Sequence, residues 1–189
     1  MSKKNEKNTA FKEIFLPIIV LVSICLVIAA AMAAINAITA PKIEEAHHQK
    51  EQEALSIVVP QNSGFTKQEL SDLPKTVTGV YSDKGSAAVA VMLSVKGYDS
   101  SNPMSVAVGF DEDGKIIKCS VISCNGETKG IGSKVADEDF LSRFYGESNM
   151  TVSAVDTISG ATISSTAFKE AIADACKVVE QFRATEVTK

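Results

Sequence analysis

The stretch Asp156 to Ser165, "DTISGATISS", sets six hydroxyl or carboxylate side chains around a Gly-Ala pair, immediately before an apolar-periodic segment. A helix N-terminus presents N–H groups without intrahelical partners and the positive end of the helix dipole, so it binds phosphate. Gly160 and Ala161 keep the approach to such a terminus uncrowded, while Thr162, Ser164 and Ser165 add hydroxyl donors beside it. Simple capping competes with this reading, because Ser and Thr are favoured N-caps and Ser-Gly is ordinary turn chemistry. Capping needs one or two of the hydroxyls rather than the whole string. On the residues alone, both readings stand.

The elements that must position this junction can be read from periodicity. In "MTVSAVDTISGATISSTAFKEAIADACKVVEQF", Val152 to Val155 predicts a strand. Phe168, Ile172, Ala175, Cys176, Val179 and Phe182 then recur at helical spacing on one face. The motif is therefore expected on a strand–turn–helix junction. Upstream, Lys75 to Ser123 predicts an antiparallel β-meander of four short strands, with Asp83-Lys84-Gly85 and Asp111-Glu112-Asp113-Gly114 as turns. "CNGETKGIGSKV" breaks the alternation with Gly126, Gly130 and Gly132, which permit positive φ or close approach of backbone to a ligand. From the glycines alone a plain connecting loop suffices. "ADEDFLSRFYG" then predicts a short helix, and the fold class is α+β.

The N-terminal part is of another kind. Ile14 to Ala34 contains no charged residue and, at about 1.5 Å rise per residue, spans a hydrocarbon core of about 30 Å. Lys3, Lys4, Lys7 and Lys12 precede it, a bias that keeps such a flank in the cytoplasm and sends the large C-terminal part across. A cleaved signal peptide is the rival, with Ala31 and Ala33 as small residues for a cleavage site. Signal h-regions run only about 7–15 residues, which favours a retained anchor. The expected organisation is a cytoplasmic N-terminus (1–13), a transmembrane helix (14–38), a helical stalk opened by Pro41 (39–60), and an extracytoplasmic domain (61–189).

Charge and metal-ligating residues narrow the function classes. The formal net charge of −4 supplies no basic face for nucleic acid. His47 and His48 are adjacent, so on a helix they share no face, and no carboxylate–His spacing completes a metal site. The four cysteines contain no CxxC, and Cys176 falls on the apolar side of the last helix as a buried thiol. There is no GxGxxG fingerprint for nicotinamide.

"DTISGATISS" resembles the Asp-x-x-Ser/Thr-Gly-Ala-Thr-x-Ser/Thr motif of FMN-binding domains whose motif threonine carries FMN through a phosphoester bond. "NAITAPKIEEA", "VKGYDSSNPMSVAVGFDEDGKI" and "ETKGIGSKV" are similar, in the same order, to blocks of the G subunit of the Rnf ion-translocating electron-transport complex. The C subunit of the sodium-pumping NADH:quinone oxidoreductase is similar in anchor, domain and motif, but is generally longer. The loop departs from the Rnf-type pattern: where the family commonly has Glu-Thr-Pro-Gly-Leu-Gly after a histidine, this chain has Glu127-Thr128-Lys129-Gly130-Ile131-Gly132 after Gly126.

The resemblance implies FMN bonded to Thr162, with Asp156, Ser159, Gly160 and Ala161 completing the recognition sequence and Ser164 and Ser165 beside it. It places the ring over the loop of Glu127, Thr128 and Gly130, with Lys134 and Tyr98 as further candidates. It also implies a flavin transferase using FAD and Mg²⁺ that modifies Thr162, and partner subunits that share the membrane lipid. The complex would couple electron flow between ferredoxin and NAD to transport of Na⁺ or H⁺, with little activity in this subunit alone. Two rivals remain: the quinone-reductase subunit, and a membrane-anchored module that binds a flavin or other phosphorylated molecule without a covalent bond.

Overall fold

The computed structural model describes residues 3–70 and 73–187. The chain falls into two compact units, Met1–His48 and Gln49–Lys189. In the first, helix α1 (Lys3–Val58) begins and carries the apolar run with its side chains outward: Leu16, Leu21, Leu26 and Met32 are all more than 60% exposed. An all-round apolar surface of this kind is stable in lipid and costly in water. Among the described residues this is the one helix long and apolar enough to cross a membrane. The side chains of the basic flank, Lys3 to Lys12, lie outside the described residues.

The second unit is built on a five-stranded antiparallel sheet in the order β1-β2-β3-β4-β5. Its strands are β1 (Phe65–Gln68), β2 (Val77–Asp83), β3 (Val89–Val95), β4 (Met104–Phe110) and β5 (Ile116–Ser123). Together with the helices this is the expected α+β architecture. The sheet has one strand more than the four expected, because β1 is only four residues long and half exposed, and is recruited by pairing with β2. A short helix α2 (Glu138–Leu141) runs into a 3-10 turn (Ser142–Phe144), and a long helix α3 (Thr162–Val187) closes the unit.

The sheet is buried on both faces, and the two faces differ in size of side chain. Val89, Val91, Leu93, Val95, Val106, Val108 and Phe110 form one core with Phe168, Ile172, Ala175, Cys176, Val179 and Phe182 of α3. Every residue of the α3 face read from periodicity is therefore in the core. Ala88, Ala90, Met92 and Ala107 form the other core, with Ala54, Leu55 and Val58 at the C-terminal end of α1 and Val59 just past it. The small residues let backbone approach backbone: a Cβ at Gly109 would collide with the carbonyl oxygen of Val58.

Two further ties hold α3. Phe140, Phe144 and Phe168 form a triad with ring centroids 5.2–5.5 Å apart, joining α2 to the first turns of α3. Near the other end, the guanidinium of Arg183 donates to the carbonyl oxygens of Asp111 and Glu112 in the β4–β5 turn. Cys119 and Cys176 are free thiols in the core; burial pushes both up, Cys176 to about 12.

Asp83, at the end of β2, accepts from the Ser63 N–H and the Ser86 hydroxyl, each at 2.7 Å. The Ser86 hydroxyl is the chief cause holding its carboxyl below the ordinary range; burial opposes it, and the amides of Ser63, Gly85 and Lys84 add to it. A depressed folded value gives stability that is complete above the unfolded value of about 3.9 and is lost as pH falls through the folded value. Asp83→Asn is expected to lower stability at pH 7 and to flatten the acid loss below about pH 4, as urea unfolding at pH 7 and pH 3 would show. Gly109→Ala overpacks the α1 contact and is expected to cost about 1–3 kcal/mol, with faster proteolysis just after Val58.

Candidate functional site

The motif meets α3 differently from the expected strand–turn–helix. Val152–Ala154 is a 3-10 turn, with Val152 buried and the Ala154 N–H given to the Thr151 carbonyl, so no strand forms before the motif. Four apolar or small residues suited either element, and local bonding to Ser148 and Thr151 decides for the turn. Lys169 of α3 then donates to the carbonyl oxygens of Ser153 and Val155, at 2.9 and 2.6 Å, and holds the segment against the helix.

The turn into α3 runs from Ile158 to Ala161, whose N–H donates to the Ile158 carbonyl at 3.0 Å. Gly160, third in this turn, has φ +82°, as a type II turn requires. A Cβ there would meet nothing within 4 Å, so the requirement for glycine is conformational rather than steric. Ala161 follows in the N-cap position, buried, its carbonyl accepting the Ser165 N–H at 2.9 Å. Its methyl group has no acceptor to offer, so the first-turn N–H groups are not consumed by a side-chain cap.

The hydroxyls of the motif have separate fates. Ser165 is fully buried; its Oγ accepts the Ile158 N–H at 3.2 Å and donates to the Ala161 carbonyl at 2.8 Å. Ser164 is buried and donates to Oε2 of Glu127. Thr162 opens the helix, exposed, and its hydroxyl makes no hydrogen bond among the described residues. Ser159 is exposed on the turn. Asp156 is exposed and borders a separate depression of about 520 Å³ with Arg143, whose guanidinium donates to the Asp156 carbonyl at 3.5 Å.

Thr162 lies in a cleft of about 360 Å³ lined by Tyr98, Thr128, Ile131, Gly132, Gly160, Ala161, Ile163 and Ser164. The structure thus brings Thr162, Gly160, Ala161, Ser164 and Thr128 together, while Asp156 and Lys134 do not line the cleft. Gly130 lies in the turn beside it, with φ +75° and its N–H on the Ser133 hydroxyl at 2.9 Å. Glu127 is turned inward, 5% exposed. Tyr98, past the end of β3, is 66% exposed on the rim, where Ile131 and Ile163 are 48% and 61% exposed. The two isoleucines were not singled out by the sequence; large apolar residues left in water beside a motif are the signal that finds them.

This donor set fits a phosphate bearing a flat apolar group. The anion's partners would be first-turn N–H groups and the helix dipole, since no lysine or arginine among the described residues lines the cleft. Tyr98, Ile131 and Ile163 offer apolar walls of the kind that hold an aromatic ring, in a volume within the usual range for ligand clefts. A larger depression of about 500 Å³, bordered by Val59, Pro60 and Asp111 to Asp113, contains none of the motif residues.

Residues 97–177 match the model of the FMN-binding domain family, a span that takes in every residue of the cleft. No curated protein matches the chain. That stretch is thus similar to an FMN-binding domain, a likeness that suggests a flavin-binding, electron-transfer role, and the one helix long and apolar enough to cross a membrane among the described residues is consistent with a single-pass membrane protein. Gly160→Ala is expected to destabilise the folded unit by about 1–2 kcal/mol through the left-handed backbone alone. Ser165→Ala should cost about 1 kcal/mol by leaving the Ile158 N–H unpaired. Thermal unfolding of the two variants checks both.

Proposed function

We propose that this protein is a single-pass membrane electron carrier with FMN bonded to Thr162, acting as the G-type subunit of an Rnf-type ion-translocating complex. The observation that carries the covalent assignment is the exposed Thr162 hydroxyl, without a hydrogen-bond partner among the described residues, on a helix start whose N-cap is an alanine. Support for the complex comes from the successive sequence blocks after the apolar helix and around the loop at Glu127.

Attachment needs a second protein. A threonine hydroxyl is a weak nucleophile at neutral pH, and no base among the described residues lines the cleft beside it. In the proposed step a transferase presents FAD with Mg²⁺. Thr162 would supply the attacking oxygen, its new O–P bond to the FMN phosphate replacing the pyrophosphate O–P bond of FAD, with AMP as the leaving group and the hydroxyl proton taken by a base of the transferase. When bound, the flavin supplies the redox chemistry, and the protein supplies position and electrostatics.

The cleft supports a role for this chain's own residues once the flavin is attached. The first-turn N–H groups of α3 would hold the phosphodiester anion, and Tyr98, Ile131 and Ile163 would hold the ring and exclude water from part of it. Lys134, exposed on the 3-10 turn after the loop, adds positive charge outside the cleft. In the proposed placement the N-terminus is cytoplasmic and the flavin domain is on the other side of the membrane. Confinement to the membrane raises the carrier's effective concentration near its partner subunits.

Co-expression with a flavin transferase should give a band that fluoresces in a denaturing gel, with an intact mass increased by one FMN and no such band for Thr162→Ala. Absence of that band in the wild type, with the transferase active on another target, would sink the covalent assignment in favour of a non-covalent binding module. The membrane subunits that co-purify separate an Rnf-type complex from a quinone reductase.

A further inference from the structure

The cleft has an inner wall whose chemistry the proposed function leaves unused. Glu127 is buried, yet both its carboxylate oxygens are occupied: Oε1 accepts the Tyr98 N–H at 3.0 Å, and Oε2 accepts the Ser164 hydroxyl. These bonds join three stretches of the chain, namely the beginning of the β3–β4 connection, the glycine loop, and the first turn of α3. Each stretch also contributes to the walls of the cleft.

Two glycines make room for the carboxylate. A Cβ at Gly97 would collide with Oε1, and one at Gly132 would lie 2.7 Å from Oε2 and 3.0 Å from the Ser164 Oγ. Neither residue has positive φ, so the requirement for glycine is space for Glu127 rather than backbone conformation. Gly126 adds a third close approach, since a Cβ there would collide with the Asn102 carbonyl and part the loop from the β3–β4 connection.

We propose that Glu127 is a positioning residue for the flavin site: its carboxylate locks the segment at Tyr98 and the loop at Ile131 to the first turn of α3, and so sets the spacing of the apolar walls around Thr162. The flavin part of this rests on the function proposed above; the lock itself concerns only this chain's own atoms. With both oxygens engaged inside the protein, the carboxylate acts through the residues it holds. A carboxylate suits the task because it accepts from two donors at once, and hydrogen bonds to a charged group are stronger than neutral ones.

The substitution Glu127→Gln separates shape from charge. Its carboxamide oxygen can take the Tyr98 N–H while its NH₂ donates to the Ser164 Oγ, so both partners stay satisfied. Glu127→Ala leaves the Tyr98 N–H unpaired. Gly97→Ala displaces the carboxylate by steric contact, and that harm disappears once the carboxylate is gone.

The test uses the full-length protein in detergent with two readouts: amide exchange at Tyr98 before flavin attachment, and fluorescence anisotropy of the attached flavin under native conditions. Glu127→Ala is expected to speed Tyr98 exchange roughly tenfold or more and to lower the anisotropy. Glu127→Gln should keep both near wild type, Gly97→Ala should match Glu127→Ala, and the double variant should be no worse than Glu127→Ala alone. If Glu127→Ala does not fold, the opposite behaviour of Gly97→Ala and Glu127→Gln decides in its place. Wild-type exchange and anisotropy in folded Glu127→Ala, or a Glu127→Gln as impaired as the alanine, would overturn the proposal. A wild type that never takes up flavin would overturn the functional reading, while the exchange comparison still decides whether Glu127 is the lock.

Discussion

An unpaired carboxylate inside a protein costs several kcal/mol, and the surroundings of Glu127 are arranged so that this cost does not arise. One backbone N–H and one hydroxyl face its two oxygens. The partners come from either side of the sequence, Tyr98 before it and Ser164 well after it, so their bonds draw a strand connection, a glycine loop and a helix start to one point. Gly97 and Gly132 lack side chains where the charge needs volume. The surface cleft is a by-product of that internal arrangement: its walls are the outer sides of the segments that the carboxylate pulls together.

The scaffold around this point is rigid in the places that matter. The phenylalanine triad fixes the beginning of α3 against α2, and Arg183 fixes a later turn against the β4–β5 connection. The helix start can then leave its own N–H groups and one hydroxyl without internal partners, because its position does not depend on them. A site of exposed, unsatisfied groups on a well-packed frame is the usual division between loops that bind and elements that position.

The parts of this architecture legible in the sequence are those set by local periodicity. The spacing from Phe168 to Phe182 identified the buried face of α3, and the strands from Val77 to Ser123 followed from alternation between turn signals. β1 was hidden because "FTKQ" has neither length nor alternation and exists through its pairing with β2. The segment at Val152 was misread because a handful of apolar residues fit a strand or a tight turn equally, and bonds to Ser148 and Thr151 settle it. In the candidate site, the Gly-Ala-Thr core announced a helix start. The destinations of the hydroxyls did not show, since Ser164 finds its partner 37 residues away. Nor did the purpose of Gly97, whose missing side chain is explained only by a carboxylate that arrives from another loop.

The cysteines carry a consequence of their own. Cys119 and Cys176 lie in the core, and Cys124 is half-buried at the edge of the glycine loop. Burial is the first cause raising all three thiols, with neighbouring carboxylates adding to the effect, Glu127 foremost for Cys124. A thiol held in its protonated form is a poor nucleophile and a poor target for oxidants. All three are free thiols, so the folded unit is held by packing and hydrogen bonds rather than by a cross-link among them, and the burial that builds its core is also what keeps Cys119 and Cys176 protonated.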